Sequence, residues 1–117
     1  MSDGVTGLGG AFFRAHDPHA LKAWYEEALG APRDELMRSD GLVFGIFHAD
    51  TDYFGSSGQG FMVNFRVASL NGALDRLRAA GAEVDAETQE QERIGRFGSA
   101  VDPEGNRFEL WEPAEGT

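Results

Sequence analysis

The chain has 117 residues, short enough that one domain is the expected organisation, and a globular chain of this size buries roughly 65% of its unfolded surface. With no cysteine, disulfide scaffolds, thiolate metal sites and cysteine nucleophiles are excluded, and the 41% hydrophobic and 26% charged residues are an ordinary globular balance. Twenty acidic residues against ten basic ones give a net charge of −10, which argues against nucleic acid and anionic membrane surfaces as partners and would steer cationic ligands inward. No apolar run approaches the roughly 20 residues of a membrane span, and the start, Met-Ser-Asp-Gly, does not read as a signal peptide, so a cytoplasmic location is expected.

The first apolar segment, residues 8–15, reads as a strand ending in Phe12-Phe13-Arg14-Ala15. A helix follows. Asp17 is its N-cap, Pro18 takes the first helical position, where the missing N–H costs nothing, and Gly30 is the stop. Leu21, Trp24, Tyr25, Ala28 and Leu29 form one apolar stripe along it. Segments 35–38 and 42–49 then flank Ser39-Asp40-Gly41, the signature of a hairpin. The stretch 52–60, rich in glycine and serine, reads as a linker.

The pattern then repeats. Residues 61–67 carry Asn64-Phe65-Arg66-Val67, so that Phe-Arg followed by a small apolar residue recurs 52 positions on. Ser69 caps a second helix with a stripe of Leu70, Ala73, Leu74 and Leu77, and Gly81 ends it. Strands are expected at 83–87, 96–101 and 107–112, with a polar stretch, 89–93, between the first two. Asp102-Pro103-Glu104-Gly105 suits a type I turn between the last two. Two strand–helix–strands modules account for the repeat, the first one strand short or holding a very short strand. The class is α+β.

These residues carry a resemblance. Phe13-Arg14-Ala15-His16-Asp17-Pro18, Ala23-Trp24-Tyr25 leading to Leu29-Gly30, Phe65-Arg66-Val67 and the closing run from Gly95-Arg96-Phe97 through Asp102-Pro103-Glu104-Gly105-Asn106-Arg107-Phe108-Glu109-Leu110-Trp111-Glu112-Pro113 resemble the vicinal oxygen chelate superfamily. That superfamily includes glyoxalase I, extradiol dioxygenases, fosfomycin-resistance enzymes and bleomycin-binding, or bleomycin-resistance, proteins. The resemblance implies a single glyoxalase-like domain over 1–117. Two βαβββ modules, at 7–51 and 61–113 with the linker 52–60 between them, would form a U-shaped, open-barrel cleft.

Enzymes of the superfamily hold a divalent metal with four side chains, from the first and last strand of each module. Carried over position by position, these fall on Gly10, Met62 and Glu109, with the fourth near residues 46–48, where His48 is the candidate. Glycine offers no side chain and methionine is a poor ligand for a hard or borderline cation. Glu109 and His48 are thus an incomplete metal set. Strand alternation adds a ligand cleft: Phe12 and Arg14, then Met62, Asn64 and Arg66, then Arg107 and Trp111 around Glu109. Glu109 is expected to pair with one of the arginines, which would lower its pKa. Tyr53-Phe54 and open strand edges suggest a homodimer.

The expected function is binding of a small molecule in the cleft without a complete metal site. The alternative is a metal-dependent lyase, isomerase or dioxygenase using Glu109 and His48. A third reading is a structural module with a vestigial cleft. No catalytic residue is assigned.

Overall fold

The computed structural model describes residues 4–30, 36–37, 42–55 and 58–114. Its elements, in chain order, are β1 (Val5–Ala15), α1 (Pro18–Leu29), β2 (Leu36–Met37), β3 (Leu42–His48), β4 (Phe61–Val67), α2 (Leu70–Ala79), β5 (Glu83–Val84), β6 (Gln89–Gln91), β7 (Gly95–Val101) and β8 (Arg107–Pro113). All eight strands join one sheet in the order β2-β3-β1-β4-β8-β7-β5, with β6 also paired to β7.

Each half closes by pairing its first strand with its last in parallel, β1 with β3 and β4 with β8. The halves meet where β1 and β4 run antiparallel. The short strand of the first half is β2, antiparallel to β3; the turn expected at 39–41 lies outside the described residues. The polar stretch expected at 89–93 forms β6 at its start, and β5 is shorter than the 83–87 expected. Both lean on β7 near its two ends, Glu83 opposite Val101 and Gln91 opposite Gly95.

The helix ends follow the capping residues. The Asp17 carboxylate accepts from the Ala20 N–H at 3.1 Å, and Gly30, at φ +69°, returns its N–H to the Glu26 carbonyl. Ser69 accepts from the Gly72 N–H at 3.1 Å, while Glu112 on β8 takes the Leu70 N–H at 2.7 Å. The second stripe packs as expected, with Leu70, Ala73 and Leu74 buried against Val67 and Leu110. The first does not. Leu21 and Tyr25 are half-buried, but Trp24, Ala28 and Leu29 are exposed. Among the described residues α1 packs chiefly on β1 and β3, whereas α2 packs on β5, β7 and β8. The apolar stripe is wider than the surface available to bury it.

Two clusters form the core. One lies under α2, and the other lies on the opposite face of the sheet, where Phe12, Val43, Phe54, Met62, Phe97 and Trp111 pack together. The second cluster is the base of the cleft.

Candidate functional site

Glu109 lies mid-sheet. It is opposite Asn64 on β4 and Ser99 on β7, so all three side chains leave the same face. Both strand neighbours keep water from its flanks, and it is 4% exposed. Two groups donate to it. The Asn64 amide reaches Oε1, and the Tyr53 hydroxyl, carried by the connection between the halves, reaches Oε2.

Asn64 can lie there because of Gly9. A Cβ on Gly9 would fall 1.8 Å from the Asn64 Oδ1 and 3.2 Å from Trp111 Cε3. The register of β1 slips between Leu8 and Gly10, and this bulge turns Gly9 toward the cleft base. Gly10, at φ +148°, instead lies flat against the Val43 carbonyl.

Burial pushes the Glu109 carboxyl up from 4.5 to about 7, against the lowering effects of Tyr53, Asn64 and Arg107. The expected pairing with Arg14 or Arg66 does not form. Arg14 donates to the carbonyls of Ala49 and Gly55 at 3.2 and 3.4 Å and stands over the Phe54 ring. Arg66 stands 5.0 Å from the centre of the Trp111 ring. Arg107 shares the face of Glu109, but Asp85 holds it in an ion pair, with Ser99 bridging the two. Its guanidinium lies 5.7 Å from the centre of the Tyr53 ring, on the ring face. Burial acts to raise the Asp85 pKa, but the bonds from Arg107 and Ser99 outweigh it and hold the carboxyl below its usual value. The Tyr53 hydroxyl is pushed well up, by burial first and then by the charge of Glu109.

Above the carboxyl is a cavity of about 280 Å³. Phe12, Val43 and Phe47 wall it from the first half, Tyr53 from the connection, and Ile94 and Phe97 from the second; Gln89 and Gln91 complete the lining. Phe47 stacks on Tyr53 at 5.5 Å and meets Phe12 edge-on at 5.4 Å.

Of the residues singled out from the sequence, Phe12 and Glu109 line this cavity. Met62, Asn64 and Trp111 are fully buried below it. The Trp111 indole donates to the Ile94 carbonyl at 2.7 Å and its ring lies parallel to Phe97. Arg14, Arg66 and Arg107 are half-buried beside it, engaged as described. His48 is not brought to Glu109. Val43, Gly45 and Phe47 take the cleft-facing side of β3, and alternation turns His48 outward, where it is 57% exposed beside Asp50. Nor is Tyr53-Phe54 free surface for a dimer: Phe54 is completely buried and Tyr53 is turned onto Glu109.

Sequence reasoning missed Phe47, Val43, Ile94, Phe97 and the two glutamines as lining residues. The period-two pattern Val43-Gly45-Phe47 was the available signal for β3. Nothing local marks Tyr53, because a linker residue has no strand parity to read.

Residues 10–111 match the family described as glyoxalase-like domain. The chain belongs to that family. Its fold is that of the vicinal oxygen chelate superfamily, and solved structures of the same architecture agree. Methylmalonyl-CoA epimerase from Mycobacterium tuberculosis is 22% identical with a TM-score of 0.69, over 94% of this chain and 89% of that one. Streptomyces coelicolor methylmalonyl-CoA epimerase in complex with 2-nitronate-propionyl-CoA is 17% identical, with a TM-score of 0.65 over 92% and 96%. A Legionella pneumophila structure described as an NAD-dependent benzaldehyde dehydrogenase is 17% identical, with a TM-score of 0.54 over 87% and 96%. No curated protein matches the sequence. These likenesses establish the fold.

The glyoxalase-like fold implies a divalent metal, and the donor chemistry here does not fit one. Around Glu109 the cleft faces of the other three strands present Gly9, Phe12, Met62, Asn64, Val43 and Phe47. Among the described residues no group of three or more His, Cys, Asp or Glu could hold a metal ion. Zinc sites ordinarily take three protein ligands, and magnesium or calcium sites require more oxygens than one carboxylate supplies. Among the described residues no helix is long and apolar enough to cross a membrane.

Proposed function

We propose that the cleft binds a small, largely apolar molecule whose one polar group meets Glu109, and that it does so without a resident divalent metal. The observation that carries this reading is the placement of a single buried carboxyl beneath a cavity walled by aromatic rings. A few convergent polar groups under apolar walls are the usual composition of a small-molecule pocket. At about 280 Å³ the cavity is small for a ligand pocket, which limits the ligand to a small molecule. The reading does not include a coenzyme A thioester: the described lining carries no Lys, Arg or His to meet phosphate groups, and a net charge of −10 disfavours a highly anionic ligand.

Two measurements test the proposal together. Protein dialysed against zinc, nickel, manganese and iron should retain none of them in stoichiometric amount. Small uncharged aromatic probes should shift the NMR signals of Phe12, Phe47 and Phe97. Stoichiometric metal that is lost in Glu109→Ala overturns the metal-free reading, and the absence of probe shifts overturns the binding reading.

One observation favours a second reading. A carboxyl titrating near 7 gives or takes a proton readily at neutral pH, as an acid–base enzyme requires. Turnover of a bound molecule that disappears in Glu109→Gln while binding persists would establish it.

A further inference from the structure

Four aromatic side chains, Phe12, Phe47, Tyr53 and Phe97, wall one cavity, and a single carboxylate is its acid. Ring faces carry negative electrostatic potential and attract alkylated cations, most strongly where water is excluded. No cationic side chain lines the cavity among the described residues. Of the three guanidiniums nearest in the sheet, Arg14 is held by backbone carbonyls and Arg66 lies over Trp111, while Arg107, paired with Asp85, lies on a face of the Tyr53 ring. The carboxylate's two donors, Tyr53 and Asn64, occupy one position on each oxygen, and an ionised carboxylate has about four. Acceptor capacity remains on the carboxylate, which lines the cavity.

From this arrangement we infer that the ligand presents an alkylated ammonium group, seated among the rings of Phe12, Phe47 and Phe97 and facing Glu109. The inference rests on the cleft reading above and narrows it to a ligand class. The net charge of −10 would raise the encounter rate of such a cation.

A coupled proton follows. The carboxyl, its pKa raised by burial to about 7, is partly protonated at neutral pH, and a bound cation favours the ionised form. Facing or coupled to it are Arg107 on its own strand, Tyr53 on the connection, Asn64 on β4, Ser99 on β7 and Asp85 acting through Arg107. Phe12 and Gly9 on β1 and Val43 and Phe47 on β3 bring no charge. Binding at pH 7 therefore releases a fraction of a proton, from the carboxyl to buffer, and the release vanishes at high pH.

The test compares choline with its uncharged isostere 3,3-dimethyl-1-butanol by NMR titration. Choline is expected to bind at least about tenfold more tightly. Phe47→Leu, which keeps the apolar bulk and removes the ring, should bring the two ligands close together, as should Glu109→Gln. Calorimetry of choline binding in two buffers of different ionisation enthalpy should show the proton release at pH 7. Equal affinity for the two ligands overturns the ammonium assignment and leaves the cleft reading standing, since the alcohol then reports the cavity. A choline preference undiminished in Phe47→Leu overturns it as well, and that variant decides the matter if Glu109→Gln does not fold. Absence of shifts with either ligand also overturns it. The uncharged aromatic probes then decide separately whether the cleft reading survives.

Discussion

Tyr53 donates its hydroxyl hydrogen to Glu109 across 56 positions of sequence, joining the connection between the halves to the last strand. The ring is held by Phe47 on one side and by the Arg107 guanidinium. Tyr53→Phe should keep this stacking and remove one donor from a buried carboxyl. The Glu109 pKa should rise above 7, since that bond lowers it now. A stability loss of about 1 kcal/mol is expected at neutral pH. The carboxyl ¹³C shift followed against pH measures the first, and urea melts the second; a lower pKa in the variant would contradict the arrangement.

Glu109→Gln tests the burial itself. The folded pKa, about 7, lies above the ordinary 4.5, so between those values the folded protein holds a proton that the unfolded chain has released. The stabilisation is fully present below about pH 4.5 and is lost as pH rises through 7; it amounts to about 3 kcal/mol. Relative to Glu109→Gln, whose amide does not titrate, the wild-type protein should therefore lose on that order of stability between pH 4.5 and 8.5. Parallel urea curves at both pH values would show instead that Glu109 is solvated.

Gly9→Ala should be costly for one reason, the Asn64 amide lying where the new methyl would go. Asn64 is fully buried and has to leave Glu109 or move the strand. A loss of roughly 1–3 kcal/mol is expected. In an Asn64→Ala background the same methyl should cost much less, because the clashing atoms are gone. Full additivity of the two changes would place the strain elsewhere.

Asp85→Asn removes the charge that balances Arg107. The unopposed guanidinium, two residues from Glu109 on the same face, should then draw its pKa downward. ¹³C-detected titration of the carboxyl provides the measurement, and an unchanged midpoint would mean that Arg107 turns away once released.

Much of this architecture could be read from the chain because local chemistry and tertiary structure agree. Asp17, Gly30, Ser69 and the Asp102–Gly105 turn behave as their side chains dictate, and alternation on β4 and β8 puts Asn64 and Glu109 on one face. The site was harder. Parity along β1 fails at the Gly9 bulge, which no apolar pattern announces. Parity also names every residue on the cleft face without separating those that line the cavity, such as Phe12, from those below it, such as Met62 and Trp111. The partners of Glu109 depend on where Asp85 draws Arg107, a contact over 22 positions invisible to local reading. Trp24 and Leu29 looked like core only because the width of the sheet beneath them could not be foreseen.

The cavity borrows its walls from both halves of the chain, Phe12, Val43 and Phe47 from one and Ile94, Phe97 and Glu109 from the other. Neither half encloses it alone, so it exists only where both halves are folded and joined through β1 and β4. Whatever occupies it serves as a clasp. Its affinity for the assembled state adds directly to the work of unfolding, by about 2.7 kcal/mol at a hundredfold excess over the dissociation constant. A melting curve is thereby a ligand detector, sensitive to any compound that grips the two halves at once.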